Sequence, residues 1–306
     1  MKTCACNESL GNTGEPGCQP IFKVTKKLIL VNTFDSTGAE NSLTVSGGLT
    51  QNALDALINQ ADPTKRWYPL PLLENVTGER SATSYETAPS GRKAFVKQGT
   101  RSFSAEIWEE SSVYKNQLDA IRCNDVSIFM VDVIGNLRGT IHNNENAKLY
   151  PIKIDNNSFD AVLMFGSDTV NEKLVISFDF DQTEDDSDLR LIANADMEAS
   201  LINASGLIDI QSTISSITTT GFVAKLKQKF GSLANLVVDS GLVVGDFALY
   251  NVTDSANVTI TSATESPKGT YTFVYSAQTS GDVLRLTPSM EGRDYKNVIS
   301  NTILTP

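Results

Sequence analysis

Histidine is the scarcest residue in this chain of 306 residues, and its scarcity limits the catalytic chemistry that we expect. The only histidine is His142, so any serine–histidine or cysteine–histidine nucleophile system depends on it. It stands in the hydrophilic stretch His-Asn-Asn-Glu, which is typical of a solvated loop. Phosphate-binding loops, dinucleotide fingerprints, zinc-protease motifs and nucleophile elbows are absent, and acid pairs such as Glu109 and Glu110 are common on surfaces. We therefore expect a protein that is not an enzyme and carries no cofactor.

Basic residues and long apolar runs are also in short supply. The 25 lysines and arginines against 36 acidic residues give a net charge of -11, which argues against a surface that grips nucleic acid. No stretch approaches the roughly 18 apolar residues of a membrane span. The first residues lack the apolar segment of a signal peptide. We therefore expect a protein made in a cytoplasm, with no membrane partner.

Cysteines are few, and their spacing argues against a zinc site. Cys4, Cys6 and Cys18 lie in a lead segment rich in glycine and proline, and Cys123 follows a helical stretch. Structural zinc needs four ligands, with a pair at about C-x2-4-C spacing, and no fourth ligand is near. Residues 1–20 therefore predict an N-terminal arm without a metal, either flexible or docked on a partner, and Cys123 predicts a small buried residue.

An acidic run spans residues 181–188. Clustered carboxylates favour calcium, but the run lacks the glycine and the closing glutamate of an EF-hand loop. A solvated linker is the favoured interpretation, and it marks the end of a first domain at residue 190. A calcium-dependent adhesin centred on Asp179 to Asp188 remains an alternative.

The stretch from Lys97 to His142 predicts a strand, a helix and a hairpin. Alternating apolar residues predict a half-buried strand over 101–108, and the apolar run 126–134 predicts a central strand. Gly135-Asn136 predicts a two-residue hairpin turn before a returning strand over 137–141. The helix between them is capped by Ser111 and Ser112 and shares an apolar stripe: Tyr114, Leu118 and Ile121. The expected core anchors are Phe103, Trp108, Phe129 and Val131.

Similar patterns predict the other elements of a first domain over residues 21–190. They are a strand over 21–32, a helix from Thr50 to Ala61, strands over 149–155 and 158–165 joined by an Asn156-Asn157 turn, and a strand over 174–180. The expected fold is mainly β (α+β), a β-barrel or sandwich with one or two helices.

Residues 63–99 form an unusually long segment rich in proline and polar residues. Loops of this length are uncommon in compact domains unless they are functional or disordered. We expect a projecting arm or extended hairpin that contacts a neighbouring subunit, the alternative being a mobile surface loop. The proposed contact residues, which could equally pack on their own domain, are Trp67, Tyr68, Arg80 and Tyr85.

Residues 191–306 predict an immunoglobulin-like β-sandwich. This region is rich in threonine, serine, valine and glycine, and its short alternating strands are separated by turns at intervals near 8 to 12 residues. An alternative function, an adhesin-like surface-binding module, needs exposed aromatic residues at loop tips. Tyr250 and Tyr295 are the candidates, although Tyr250 continues a strand pattern typical of core.

Three features together resemble phage structural proteins. The segment Lys97 to His142, with Val126-Ser-Ile-Phe-Met-Val-Asp-Val-Ile-Gly-Asn-Leu-Arg-Gly139, resembles the core of phage tail-tube-like proteins. The lead Cys-Ala-Cys-Asn-Glu-Ser-Leu-Gly-Asn-Thr-Gly-Glu-Pro-Gly-Cys resembles N-termini of virion proteins from crAss-like, short-tailed phages of gut Bacteroides. A C-terminal immunoglobulin-like domain is also a frequent decoration of phage structural proteins.

The resemblance implies a virion subunit that forms a homo-oligomeric ring or tail tube around the DNA channel. It implies sheet pairing between subunits, with a ring of twelve favoured and six as the alternative. The implied partners are neighbouring portal, ring or tail proteins, and genomic DNA that passes without specific binding. An acidic surface suits such a channel, because a basic lumen would hold the phosphates.

Overall fold

The computed structural model describes residues 20–108, 112–142, 147–232, 235–290, 292–295 and 301–303. The chain divides into two units, Met1–Ser205 and Gly206–Pro306, and each is built mainly from β-strands, as expected. The division lies later than the boundary expected at residue 190, because Leu189–Ile192 pairs with Leu137–Thr140 of the first unit. Residues 1–19, with Cys4, Cys6 and Cys18, lie outside the described residues, as do Glu109, Glu110 and Ser111.

The first unit contains thirteen described strands and two described α-helices. The helices are α1 (Gln51–Ile58) and α2 (Ser112–Asp119), and 3-10 turns cover Ala120–Cys123, Asp186–Asp188 and Asn194–Asp196. The strands are β1 (Thr25–Asn32), β2 (Leu43–Thr44), β3 (Tyr68–Pro69), β4 (Glu74–Arg80), β5 (Ser84–Thr87), β6 (Lys93–Lys97), β7 (Arg101–Trp108), β8 (Val126–Asp132), β9 (Leu137–Thr140), β10 (Lys148–Leu149), β11 (Ile152–Met164), β12 (Lys173–Phe180) and β13 (Leu189–Ile192).

The main sheet of the first unit curls back on itself. Strands follow the order β8–β11–β12–β7–β4, and β1 pairs antiparallel with β8 on its other side. The segment from β3 to β4 closes the curl: Leu70 N donates to Leu28 O at 2.9 Å and Leu73 N donates to Lys26 O at 2.8 Å. Because this segment then continues as β4 beside β7, the two ends of the sheet meet around one apolar core.

Strand β7 has the bounds that its alternating sequence predicts, and it corrects one core residue. Phe103, Ala105 and Ile107 are buried, and so are Phe129 and Val131 on β8. Trp108 was expected in the core but is 45% exposed. The period of two that turns Ile107 inward turns Trp108 outward, so the prediction for Trp108 was wrong.

Helix α1 follows β2 and buries one apolar face. Thr50 caps it by accepting from Ala53 N, as the sequence predicts, and Leu54 and Ile58 are buried. Trp67 packs with its ring centroid 5.0 Å from that of Phe129. The helix ends at Ile58, before the expected Ala61, because the backbone of Asn59 leaves the helical conformation at ψ 11° and its side-chain amide donates to Asp55 O at 2.8 Å.

The hairpin after β8 differs from the two-residue turn expected at Gly135-Asn136. The loop spans residues 133–136, with Gly135 at φ +97°. The buried carboxylate of Asp132 accepts from the backbone N–H groups of Ile134 and Asn136 at 2.9 Å, which favours the longer turn. These hydrogen bonds help to keep the pKa of Asp132 below its usual value even though burial acts to raise it.

Two further expectations are corrected by the described structure. The residues expected as two strands around Asn156-Asn157 form one strand, β11, in which an irregularity between Asp155 and Asp160 absorbs the polar residues. Cys123 is exposed, because the 3-10 turn that buries Ile121 faces Cys123 towards solvent.

Lys27 is the one buried lysine of β1 and gives a testable pH dependence. It is 4% exposed, and its ammonium donates to the carbonyl of Ala204. Burial lowers the pKa of Lys27 from 10.5 to about 8. The unfolded chain therefore binds more protons between pH 8 and 10.5, so stability rises with pH across that window.

Lys27→Met is expected to remove this rise. Relative to the variant, the wild-type protein should gain about 3 kcal/mol of stability as the pH increases from 8 to 10.5. Urea unfolding at a series of pH values measures it. Parallel stability curves for the two proteins would contradict the prediction.

The second unit contains two sheets that share one core. Its described strands are β14 (Ile208–Ser215), β15 (Gly221–Gly231), β16 (Leu236–Val238), β17 (Phe247–Asn251), β18 (Ala256–Val258), β19 (Ile260–Glu265), β20 (Thr270–Tyr275), β21 (Val283–Pro288), β22 (Arg293–Asp294) and β23 (Asn301–Ile303), with a 3-10 turn at Val244–Asp246. One sheet has the order β19–β20–β15–β14–β22 with β16 on β15, and the other has β18–β17–β21–β23. Alternation predicts the inward face of β20, where Tyr271, Phe273 and Tyr275 are buried.

A buried polar network centres on Asp239 in the second unit. Its Oδ2 accepts from the Tyr295 hydroxyl at 2.8 Å, and its Oδ1 accepts from Arg293 Nε at 3.0 Å. Burial, with the bond to Asp239, raises the pKa of Tyr295. Tyr295 is therefore not the exposed aromatic that the adhesin alternative needs. Tyr250, expected in the core, is half-buried on the outer face of β17, where Arg285 lies 5.2 Å from its ring.

Candidate assembly surface

The segment expected to project is a continuous antiparallel ribbon. Strands β4 and β7 pair within the main sheet, and the register ends with Arg80 opposite Arg101. Ser81 N then donates to Thr100 O at 2.9 Å, and strands β5 and β6 continue the pairing. The two chain segments run so closely together at Gly99 that a Cβ there would overlap the carbonyl oxygen of Ser81. Residues 74–97 therefore belong to an extended hairpin, whereas residues 63–73 belong to the body of the unit. The expected contact of this hairpin with a neighbouring subunit stays a prediction.

The end of this ribbon, residues 84–97, is named the ribbon tip. Every residue of β5 and β6 is exposed, and these strands pair with no third strand in the described chain. Tyr85 and Phe95 stand opposite each other with ring centroids 6.3 Å apart, yet they are 57% and 59% exposed. A lone two-stranded hairpin is marginally stable in water, so its exposed aromatic pair favours a partner.

The ribbon tip is also basic in an acidic chain. Arg92, Lys93 and Lys97 outnumber its single acid, Glu86, whereas the whole chain has a net charge of -11. A basic, aromatic tip is attracted to a surface that is apolar and acidic.

The four residues predicted for the intersubunit arm occupy different environments. Trp67 is 3% exposed in its own unit, so it offers no surface to a second subunit. Tyr68 is partly buried, and its hydroxyl donates to Pro63 O at 2.8 Å. Arg80 pairs with Asp186, and Tyr85 lies on the ribbon tip. Among the four, Tyr85 is the residue whose exposure suits contact with a neighbour.

A second exposed apolar surface, which the sequence reasoning missed, lies at the other end of β7. We name it the end patch, and its large exposed side chains are Trp108, Val162, Met164, Phe165 and Val170. The register aligns Trp108, Lys173 and Met164 across three neighbouring strands, which places them on one face. Phe165 is 81% exposed. The outward phase of Trp108 in its alternating strand was the signal that could have located this surface.

Charge distinguishes the end patch from the ribbon tip. At its centre Lys173 forms an ion pair with Glu106. Hydrogen bonds from Lys173, Asn75 and Trp108 hold the pKa of Glu106 below its usual value. The adjoining loop, residues 165–172, carries Asp168 and Glu172 and no lysine or arginine. Strand β7 separates the patch from the base of the ribbon by about 23 Å at the usual rise per residue. The first unit thus presents an apolar, acidic surface at one end and an aromatic, basic tip at the other.

The structure also places the other residues that the sequence singled out. His142 is not a free loop residue: its Nε2 lies 3.2 Å from Glu40 Oε1, and its ring lies 4.2 Å from that of Tyr150. No group of three or more metal-ligating side chains occurs in the described ranges, including residues 181–188. Among the same residues, no helix has the length and apolar character to cross a membrane.

Comparison of the chain with protein-family models, with curated proteins and with solved structures finds no match.

Proposed function

We propose that this chain is a structural subunit of a phage tail, which forms a homo-oligomeric ring or tube around the DNA channel. In this proposal the first unit is a tail-tube-like barrel and the second is an immunoglobulin-like domain. The protein is made in the bacterial host cytoplasm and located in the virion, next to portal, ring or tail proteins. Twelve subunits are favoured over six, and DNA passes without specific binding.

The observation that carries the proposal is the ribbon tip. Fourteen consecutive residues, 84–97, extend beyond the sheet and contain an exposed aromatic pair. Folding of an isolated subunit gains little from such a hairpin, whereas an assembly gains an intersubunit contact.

The end patch supplies a matching surface on the next subunit. Its apolar side chains can cover Tyr85, Phe95 and Val96, and its acidic loop can pair with the basic residues of the tip. Contact between two different surfaces of identical chains is heterologous, and heterologous contacts generate rings when they close and filaments when they do not. This geometry agrees with a ring or a tube.

Substitution of the aromatic pair tests the proposal. Tyr85→Ser with Phe95→Ser is expected to convert a wild-type oligomer into folded monomers, because both side chains are exposed and do not contribute to the core. Light scattering on the full-length proteins measures the masses. The matched control, Val243→Ser with Val244→Ser, also removes two exposed apolar side chains and should assemble as wild type. Assembly of the tip variant at wild-type mass would contradict the proposal.

A further inference from the structure

At the base of the ribbon, the curled sheet of the first unit opens into a pocket of about 400 Å³. Its apolar lining comes from four core residues and from Leu189, which packs against that core; the four are Phe103, Met130, Ile152 and Phe180. Its charged lining comes from Arg80, Arg101, Arg138, Glu79 and Asp186. The volume falls within the range of small-molecule sites, which is about 300–1,000 Å³.

Two of the arginines lie where their like charges repel each other. Arg80 and Arg101 stand directly opposite each other on neighbouring antiparallel strands, an arrangement that is destabilising for like charges. Burial and the Arg80 charge lower the pKa of Arg101, and the nearby carboxylate of Glu184 opposes this only in part. Asp186 pairs with both guanidinium groups, so one carboxylate serves two cations.

Arg138 lines the same pocket without an acid of its own. Its side chain is partly buried, and one side of the guanidinium lies 4.0 Å from the ring of Phe22. Among the described residues, the guanidinium of Arg138 makes no hydrogen bond and no ion pair, and its backbone groups pair within the sheet. Asp132 attracts it from a distance, but the oxygens of that carboxylate accept from Lys23, Ile134 and Asn136. Burial and the Arg101 charge lower the pKa of Arg138, so its charged form lacks adequate compensation.

The lining charges therefore leave a cationic pocket in an acidic protein. Three arginines face two acids, and the least compensated is Arg138. A guanidinium presents a planar fork of donors that matches the oxygens of a carboxylate or a phosphate. An anion on Arg138 would also have apolar side chains beside it.

We propose that this pocket binds a small organic oxyanion, with its charged oxygens on Arg138 and its apolar body on Met130 and Ile152. Arg101 and Arg80 supply the surrounding positive charge, which Asp186 partly cancels. This site is independent of the ribbon tip and of the proposed assembly, and it involves no covalent step.

Calorimetric titration of the full-length protein tests the site with benzoate, phenyl phosphate and inorganic phosphate at constant ionic strength. At least one organic anion should bind with a one-to-one stoichiometry and raise the melting temperature, because a ligand of the folded state alone stabilises it. Whether benzoate or phenyl phosphate binds more tightly shows whether the site prefers a carboxylate or a phosphate. Inorganic phosphate should bind several-fold more weakly than phenyl phosphate, and equal binding would overturn the apolar half of the site.

Substitutions then assign the binding to Arg138. Arg138→Met should weaken binding at least tenfold and melt no lower than wild type without ligand, since an uncompensated charge has been removed. Arg138→Lys keeps the charge but loses the planar fork, so its affinity for the anion should lie between those of wild type and Arg138→Met. Asp186→Asn removes a competing carboxylate and should bind the anion more tightly than wild type. The control Arg285→Met removes an exposed arginine of the second unit and should bind as wild type. No heat with either organic anion, or full binding by Arg138→Met, would overturn the proposal.

Discussion

Replacement of Asp239 with alanine is expected to lower the free energy of unfolding of the second unit by about 3–5 kcal/mol. The carboxylate is 1% exposed and accepts from both Tyr295 and Arg293, while Tyr271 donates to its backbone carbonyl at 3.3 Å. Without it, the buried hydroxyl of Tyr295 loses its acceptor, and Arg293 loses the acceptor of its Nε and keeps only Gly292 O on Nη1. Leaving a buried polar group unpaired lowers the free energy of unfolding by more than the intact pair adds to it.

Calorimetric unfolding of the full-length protein measures this effect, and hydrogen exchange assigns it to the second unit. Asp239→Asn retains an oxygen acceptor and should lose less stability than the alanine variant. The control is Asp209→Ala, because its pair with Lys229 at 3.0 Å is about one-third exposed and should contribute no more than about 1 kcal/mol. A loss below about 1 kcal/mol in Asp239→Ala would contradict the central role of this network.

Mixing two assembly-deficient variants is expected to restore one contact and no more. Tyr85→Ser with Phe95→Ser removes the ribbon tip but keeps the end patch, whereas Met164→Asp with Phe165→Asp does the reverse. Each variant alone should be a monomer of 33.1 kDa. Together they should form a one-to-one heterodimer of twice that mass, because the intact tip of one fits the intact patch of the other.

This experiment separates a head-to-tail contact from the other arrangements. If tips paired with tips, the patch variant alone would still dimerise. If neither surface were used, both variants would assemble as wild type. Light scattering at the concentration at which the wild-type protein assembles distinguishes the three results.

Local patterns were sufficient to predict the strands and the helix cap that depend only on the order of apolar and polar residues along the chain. The apolar run over 126–134 is buried at every position of β8, Val126–Asp132, although its last two residues, Val133 and Ile134, are exposed in the turn. The alternation over 101–108 gave both ends of β7. Thr50 capped its helix as expected. Trp108 was expected in the core, although the alternation of its own strand turns it outward.

The sites depend on contacts that no local pattern contains. Asp186 meets Arg80 across 106 positions of sequence, and Asp239 meets Tyr295 across 56. Such pairs depend on how strands associate, which composition and periodicity do not specify. The acidic run over 181–188 illustrates this, because sequence indicated a linker or a calcium loop, whereas Asp186 balances two arginines at the mouth of a pocket. The end patch likewise brings together residues from β7, β11 and the loop after β11.

The mass and shape of the purified wild-type protein test the central claim most directly. Light scattering combined with negative-stain images, on the protein alone and with phage neck or tail components, supplies both. The proposal predicts closed rings of twelve or six subunits with a central hole, or tubes built from such rings. A protein that remains a 33.1 kDa monomer under all these conditions and joins no virion assembly would contradict it.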